Sequence, residues 1–545
     1  VRLKKVEIIE YRNFKNSVID FEKSNNFPNV FAIASKNGGG KSTLLQFVFT
    51  FLHCFMDKER KQYLQNILEY LPEMTQKTDL VTFVIEENHQ EYNLDFSILP
   101  TVTETMDFNL YLDSQEIQEQ ILDYQKNDQK YQRILQLKKD LESNDRITPI
   151  MENNLNYIKN HVKSMGDMEL DFLYDKAKAT KDLQIYKNLI EIIINKNAIS
   201  EDTLNELKEL NIKVNHQVKN LEDVLNQNNI LYITHLLNTK NVLLLQTNMP
   251  KELLVTLTNK VFLTAPSSQV FLFLSSQEKH TIFNEFSNTN SYYESYYEKV
   301  KKAKKELKNF FTYDFASTDL ILEAFKKASV EDLKIKRETG HYGNRYDELT
   351  NELKNFLDGK EIGENREGNG VIFTLKKSDY PLSPEDLSHG ELKKLGIYIW
   401  LKHIVEKDSI ILMDELDIAL HPQWQYELVK DLTKWSQGSQ FLLATHSPQI
   451  LSSTYYKNII KLDKGKVERY TKPPIDRDIN SIITQVMDAP DFPMDLLLLH
   501  KAYRTLINDG KIESDEAKKL KEEILEHESE SSSFFQDINF DLELM

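Results

Sequence analysis

The chain has 545 residues, with 68 Lys and Arg against 85 Asp and Glu, a formal net charge of -17, and 40% hydrophobic and 28% charged residues. At roughly 100–200 residues per domain this is material for about three to four domains, and the balance excludes wholesale disorder, collagen-like repetition and a small disulfide scaffold. The one cysteine, Cys54, can form neither an internal disulfide nor a zinc cluster, which favours a reducing compartment. The excess of acid argues against a protein that coats nucleic acid through overall charge, and leaves room for a local basic patch.

In chain order, residues 1–35 read as three strands: Val6, Ile8 and Tyr11 alternate, Val18 to Phe21 follow, and Val30 to Ala34 form a continuous apolar run. The N-terminal alternation has neither the apolar stretch nor the cleavage site of a secretory signal. A glycine turn leads into a helix from Lys41 to about Met56. Its apolar run is broken by Gln46 and His53, and no segment approaches the ~18 uninterrupted apolar residues of a membrane span, so a cytoplasmic location is expected.

Leu80 to Ile85 and Tyr92 to Ile98 alternate on either side of Glu86 to Gln90 as a hairpin. Residues 114–239 are rich in Gln, Asn, Lys, Glu and Leu at helical spacing. They read as a helical insertion, and because no clean heptad is sustained, short packed helices are expected. Strand-like runs return at Val242 to Leu245 and Val270 to Leu274, a second charged helical stretch covers about 290–358, and strands and helices alternate from Val371 to Leu462. The end is helical and acidic: residues 511–545 hold 11 Asp and Glu against 4 Lys. The boundaries that follow are 1–113, 114–239, 240–370, 371–470 and 471–545.

Ser35-Lys36-Asn37-Gly38-Gly39-Gly40-Lys41-Ser42 stands between a predicted strand and a predicted helix, the setting of a phosphate-binding loop. Asn37, Gly38, Gly39 and Gly40 would turn backbone N–H groups onto phosphate, aided by the positive end of the helix. Lys41 would reach the β- and γ-phosphates and Ser42 would ligate Mg²⁺, with Thr43 beside it. The first position is Ser35 where the pattern has Gly; the three following glycines supply the flexible part. Ser409 to Met413 is a buried-strand run ending in Asp414-Glu415, which places Asp414 to hold a metal and Glu415 to deprotonate a water. Leu387-Ser388-His389-Gly390-Glu391 starts a helix 26 residues before Asp414, and Thr445-His446-Ser447-Pro448 follows a second apolar strand 32 residues after the Asp.

The order Lys41, Ser388, Asp414-Glu415, His446 resembles the ATP-binding-cassette ATPases, in the branch with SMC proteins, Rad50 and RecF. Leu387 to Glu391 matches the signature L-S-x-G-[EQ] of that family. Leu416 to Pro422 is similar to its D-loop, although His421-Pro422 also reads as a helix start. Arg12 and Asn13, in Tyr11-Arg12-Asn13-Phe14-Lys15, resemble the N-terminal turn that touches nucleotide. The Q-loop glutamine has two candidates, Gln90 and Gln269. The resemblance implies an α/β fold, an ABC-ATPase head with a mixed sheet and a P-loop core, its halves 1–113 and 371–470 split by a helical insertion. It implies ATP and Mg²⁺ as cofactors, with Ser42 and Asp414 on the metal and Glu415 and His446 as catalytic residues. It also implies an ATP-dependent head-to-tail dimer in which Ser388, Gly390 and Glu391 of one subunit close on nucleotide held by Lys41 of the other.

The insertion is too short for a Rad50-like arm. Asp476-Arg477-Asp478 follows Lys472-Pro473-Pro474 and reads as a helix start, which speaks against the Toprim site of an OLD-type nuclease. What remains resembles the stand-alone ATPase subunits of bacterial anti-phage systems, most closely the PtuA component of Septu, including retron-associated versions. Such a subunit implies a partner HNH nuclease (PtuB-like) and, in a retron, a reverse transcriptase with its msDNA. The competing readings are a RecF-like or SMC-like repair ATPase and an OLD-type nuclease. Tyr292, Tyr293, Tyr296 and Tyr297 precede Lys299, Lys301, Lys302, Lys304, Lys305 and Lys308, either a nucleic-acid grip or a solvated helix face. Ser531 to Phe540 would order on a partner or pack on its own domain.

Overall fold

Alternation of buried and exposed positions sets the first strands, Arg2–Tyr11 (β1) and Phe14–Asp20 (β2), which pair antiparallel around a turn at Arg12 and Asn13. Val30–Ser35 (β3) is buried along all but its last residue, the pattern of a strand covered on both faces. It feeds Lys41–Cys54 (α1), followed by Lys61–Leu68 (α2) and the hairpin Thr78–Glu87 (β4) and Gln90–Pro100 (β5), paired from Thr78 opposite Ile98 to Glu87 opposite Gln90 with one register shift between Asp79 and Val81. The computed structural model describes residues 1–22, 27–36, 38–143, 168–180, 183–196, 201–284, 289–314, 316–357, 359–364, 371–376 and 378–544.

Two units divide the chain. One comprises Leu99–Tyr232 with Lys240–Val242; the other comprises Val1–Ile98, Ile233–Thr239 and Leu243–Met545. The smaller unit is built on Asn109–Glu142 (α3), Met168–Thr180 (α4), Leu183–Lys196 (α5) and Glu201–Gln227 (α6). The start of α3 meets the second half of α6, where the Ser114 hydroxyl donates to Asn215 at 2.6 Å, and Val214, Leu221 and Leu225 are buried at helical spacing. The expectation of short helices is corrected: α3 has 34 residues and α6 has 27. Neither contains Gly or Pro, and both are filled with Leu, Glu, Lys and Gln, so nothing local ends them. A stripe that meets one neighbour over part of its length needs no unbroken heptad.

Ile230–His235 (β6) and Asn241–Thr247 (β7) each begin in the smaller unit and end in the larger one, which continues through Lys251–Asn259 (α7), Val261–Ala265 (β8), Ser276–Asn284 (α8), Thr289–Glu306 (α9) and Phe310–Thr312 (β9). Ser317–Thr339 (α10), Arg345–Leu353 (α11), Lys360–Glu364 (β10), Val371–Leu375 (β11), Ser378–Leu382 (β12), His389–His403 (α12), Ile410–Asp414 (β13) and Pro422–Trp435 (α13) follow. The rest is Gln440–Ala444 (β14), Pro448–Ser453 (α14), Ile459–Asp463 (β15), Lys466–Arg469 (β16), Ile479–Gln485 (α15), Met494–Asn508 (α16), Asp515–Leu525 (α17) and Ser533–Leu544 (α18).

Among the described residues these strands form a six-stranded sheet, β2-β1-β4-β5-β7-β6, a three-stranded sheet, β10-β11-β12, and a seven-stranded sheet, β16-β15-β3-β14-β13-β8-β9. In the last, every neighbouring pair is parallel except β15 and β16. The carboxyl ends of β3, β14 and β13 therefore sit side by side, the edge at which open parallel sheets bind ligands. Phe262, Phe311, Trp400, Ile411, Met413 and Phe441 belong to the core that packs this sheet against its helices.

Of Val270 to Leu274, expected as a strand, Val270 to Phe273 lie in a 3₁₀ helix over Ser267–Phe273, and Leu274 follows it in extended conformation. Val270 and Phe273, three apart, both face inward, and Pro266 before the turn favours its start. The four tyrosines at 292–297 belong to α9, and their side chains lie outside the described residues. Asp478 caps α15, accepting from the N–H groups of Asn480 and Ser481. The C-terminal segment packs on its own chain: Phe535 and Ile538 join Leu496, Tyr503, Ile507 and Ile524 in a separate small core. No helix among the described residues is long and apolar enough to cross a membrane.

Candidate nucleotide-binding site

Each glycine of the loop after β3 answers a different local demand. Gly38 and Gly40 have φ of 77° and 100°, a region where a β-carbon is strained. A β-carbon on Gly39 would stand 2.5 Å from the Ser35 Cβ, so the serine at the first position is compatible only with glycine four residues on. Gly40 is the N-cap of α1 and offers no side chain, leaving the first N–H groups of the helix open toward an anion. Asn37 lies outside the described residues. Ser42 and Thr43 follow on the first turn of α1, both half-buried.

Lys41 is buried, and its ammonium donates to Ser35 Oγ at 2.9 Å and to the Ser35 carbonyl at 3.4 Å. The departure from the glycine pattern thus supplies an acceptor to the lysine. The third partner is His446 Nε2 at 2.7 Å. An ammonium only donates, so Nε2 must accept and the imidazole carries its proton on Nδ1. Burial lowers the pKa of Lys41 against the pull of Asp414, Asp417 and Glu415. His446 is likewise shifted down, by burial and then by Lys41, which keeps it neutral. His446 sits between β14 and α14, whose N-cap Ser447 accepts from the Ile450 N–H.

Asp414 ends β13 almost wholly buried, and neither carboxylate oxygen has a hydrogen-bond partner of standard geometry. Burial pushes its pKa up to about 6, with Ser42 the nearest group pulling it back and Glu415 raising it further. Among the described residues no three His, Cys, Asp or Glu side chains converge as a metal cluster. The donor set suits Mg²⁺ bound through one carboxylate and one hydroxyl with phosphate oxygens completing the shell, and the unpartnered oxygens of Asp414 fit that use.

A pH dependence follows. In metal-free, nucleotide-free protein the folded state disfavours this carboxylate relative to the unfolded chain. The penalty is full above about pH 6, shrinks as pH falls and vanishes below the unfolded value near 3.8, and the shift corresponds to ~3 kcal/mol. Asp414→Asn is expected to raise the thermal midpoint at pH 8 and to lose that gain between pH 6 and pH 4. A gain that is absent at pH 8, or constant with pH, would contradict this.

Glu415 adopts φ 51°, with its N–H on the Ala444 carbonyl at 3.2 Å. Its own carbonyl accepts from the Tyr313 hydroxyl at 2.9 Å and from Lys393 Nζ at 3.1 Å. Neither Tyr313 nor Lys393 was legible in the sequence as a site residue. Burial brings the Lys393 pKa down to about 7 and raises that of Tyr313. Ser388 caps α12: its hydroxyl donates to Glu391 Oε2 at 2.7 Å and accepts from the Glu391 N–H in a capping box. Glu391 is held as well by Lys360 at 2.7 Å. His421 caps α13 with Pro422 at its first position, so the helix-start reading of that pair holds.

Arg12 and Asn13 line a cleft with Lys15, Gly38 and Lys464, a cationic wall beside the glycine loop. The two turns that build it interlock, since a β-carbon on Gly465 would meet the Asn13 carbonyl at 1.9 Å. Of the two glutamine candidates, Gln90 lies in the β4–β5 turn pairing, whereas Gln269 accepts from Gln46, one turn beyond Ser42 on α1.

Residues 269–452 match the family model described as "AAA domain, putative AbiEii toxin, Type IV TA system", which covers less than half of the chain. The chain is 31% identical over 127 residues to the Retron Vc95 probable ATPase of Vibrio cholerae serotype O1 biovar El Tor, 22% of this chain and 24% of that protein. It is 30% identical over 122 residues to the Retron Ec83 probable ATPase of Escherichia coli, 22% of each, and 32% identical over 59 residues to Septu protein PtuA of Bacillus thuringiensis, 11% of this chain and 15% of that one. The matched segments thus span about a quarter of the length of the retron proteins or less.

Solved structures aligned to the chain include the SMC head domain from Thermotoga maritima (10% identity, 87% of this chain and 100% of that one, TM-score 0.31). An Smc head with an extended coiled coil from Pyrococcus furiosus also aligns (12%, 86% and 95%, TM-score 0.28). At such scores the superpositions carry no weight alone. The fold is mixed α/β, with helical insertions and a helical C-terminal region, and the sequence similarity to retron and Septu ATPases is partial.

Proposed function

We propose that this chain is the ATP-binding and ATP-hydrolysing subunit of a bacterial anti-phage defence complex, dimerising head to tail around ATP and controlling a partner nuclease. The observation that carries the reading is the meeting of Lys41, Ser42, Asp414, Glu415 and His446 along one sheet edge, with Lys41 Nζ 2.7 Å from His446 Nε2 and Asp414 buried beside Ser42 with neither oxygen in a hydrogen bond of standard geometry. In this reading the loop from Gly38 to Gly40 and the N-terminus of α1 bind the phosphates, and Lys41 turns from Ser35 and His446 to the β- and γ-phosphates. Ser42 and Asp414 would hold Mg²⁺, whose chemistry there is neutralisation of phosphate charge. Glu415 orients a water and takes its proton, His446 contacts the γ-phosphate, and Gln269 serves as the Q-loop glutamine. Arg12 and Asn13 contact the nucleotide from the β1–β2 turn. Ser388 and Gly390 close on the nucleotide of a second subunit, with Glu391 fixing the turn that presents them, so that association and hydrolysis are coupled.

The partner implied is an HNH nuclease of the PtuB kind, with a reverse transcriptase and msDNA if the system is a retron; the partial similarity to retron and Septu ATPases supports this choice over a RecF-like repair ATPase. The test is expression with the genomic neighbours. An HNH protein should co-purify, ATP should be hydrolysed with Mg²⁺, and the chain alone should leave DNA intact. DNA cleavage by the chain alone would sink the partner-nuclease reading.

A further inference from the structure

Lys393 stands on the second turn of α12, just behind the segment Leu387 to Glu391. Its ammonium is buried and forms no ion pair among the described residues. It donates to two backbone carbonyls, Glu415 at 3.1 Å and Ile418 at 3.0 Å, and lies 3.7 Å over the Tyr313 ring. Tyr313 donates to the same Glu415 carbonyl, which also accepts from the Ile418 N–H at 3.3 Å, so three donors converge on that oxygen. The loop held in this way contains two left-handed residues with β-carbons, Glu415 at φ 51° and Ala419 at φ 65°, each costing roughly 1–2 kcal/mol in isolation. Such conformations persist where the surroundings over-determine them. One turn earlier on α12, Gly390 abuts the other end of the loop, and a β-carbon there would stand 2.6 Å from the Ala419 carbonyl oxygen.

Burying a lysine costs stability, and an apolar side chain of the same length would fill the space without that cost. Retaining the charge makes sense if two carbonyls have to be held together. A methionine cannot donate to them, and the strained loop would lose two of its anchors.

We infer that Lys393 is a positioning residue that ties the Glu415–Ala419 loop to α12, so that engagement of Ser388 and Gly390 by a second subunit is transmitted to Glu415 of the same chain. The tie rests on this geometry, and its consequence for hydrolysis rests on the ATPase reading. The two sites of the proposed dimer would then be coupled mechanically: closing one subunit's signature turn on its neighbour's nucleotide loads the backbone that sets its own hydrolytic residue.

Hydrogen exchange separates the tie from the function. In Lys393→Met, amides of Ile418 and Leu420, which donate to the Glu415 and Asp417 carbonyls in the intact loop, should exchange at least tenfold faster, with β13 unchanged. Equal protection of the loop in the variant and the parent overturns the proposal. In steady-state assays kcat should fall 10- to 100-fold with ATP affinity within threefold, and the thermal midpoint should hold or rise, because a buried charge has been removed; a merely structural lysine would lower it. Tyr313→Phe should show the same pattern at 3- to 10-fold, and serves if the first variant does not fold. Faster loop exchange with an unchanged kcat overturns the transmission to Glu415. A parent protein that hydrolyses no ATP overturns the ATPase reading and leaves the exchange result standing on its own.

Discussion

Lys41→Ala is expected to abolish ATP binding, with an affinity loss of about 100-fold or more. The parent side chain is buried, its donors rest on Ser35 and His446, and among the described residues no carboxylate forms an ion pair with it. A lysine so placed gains most from an incoming phosphate: burial disfavours its charge, and a polyanion restores it. Truncating one partner of a buried charge pair costs about 2–5 kcal/mol, which sets the size of the loss. Without nucleotide the variant should be no less stable, since an unpaired buried ammonium has gone. The measurement is the shift in thermal midpoint on adding ATP, present in the parent and lost in the variant. Lys41→Arg should not rescue, because a planar guanidinium fork does not reproduce the compact ammonium held between Ser35 and His446. ATP affinity within threefold of the parent in Lys41→Ala would remove this lysine from the site.

Glu415→Gln should keep ATP and lose its hydrolysis, with kcat lower by about 10²- to 10⁴-fold, the usual worth of a general base. The amide matches the carboxylate in size and cannot accept the proton. The backbone bonds that hold residue 415, to Ala444, Tyr313 and Lys393, do not involve the side chain, so the loop should survive the change. ATP that is bound and not hydrolysed should then hold two subunits together, visible by sizing as an ATP-dependent dimer. If this variant binds ATP and stays monomeric at all concentrations tested, the signature segment does not act across an interface.

Several features were legible because they are local. Three consecutive glycines between an apolar run and a helix mark a turn of unusual backbone geometry, and Gly38 and Gly40 do take positive φ. The apolar runs before Asp414 and Thr445 read directly as strands covered on both faces. Other readings failed where the deciding contact was distant. Val270 to Phe273 has the composition of a strand, yet its two inward residues are three apart and it turns as a 3₁₀ helix. Val261–Ala265 is a strand because β13 lies beside it. That Gln269 lies against Gln46 of α1, while Gln90 lies in the β4–β5 pairing, could not be read from either residue's neighbours in sequence. Lys393 looks in sequence like any helical lysine, and its burial follows from the loop that crosses it.

What the sequence determined alone is the set of groups available: a glycine-rich turn between a strand and a helix, a strand-borne acid pair, a capped helix start and a histidine. These depend on short-range backbone rules, on φ at glycine, on side-chain alternation and on helix capping. The tertiary structure alone decided which of these groups meet. Parallel pairing of β3 with β14 and of β14 with β13 brings Lys41 to His446 although 405 residues separate them. It also leaves Asp414 buried with neither carboxylate oxygen in a hydrogen bond of standard geometry among the described residues. Such meetings arise from strand order and from desolvation, which are properties of the packed whole that no local segment encodes.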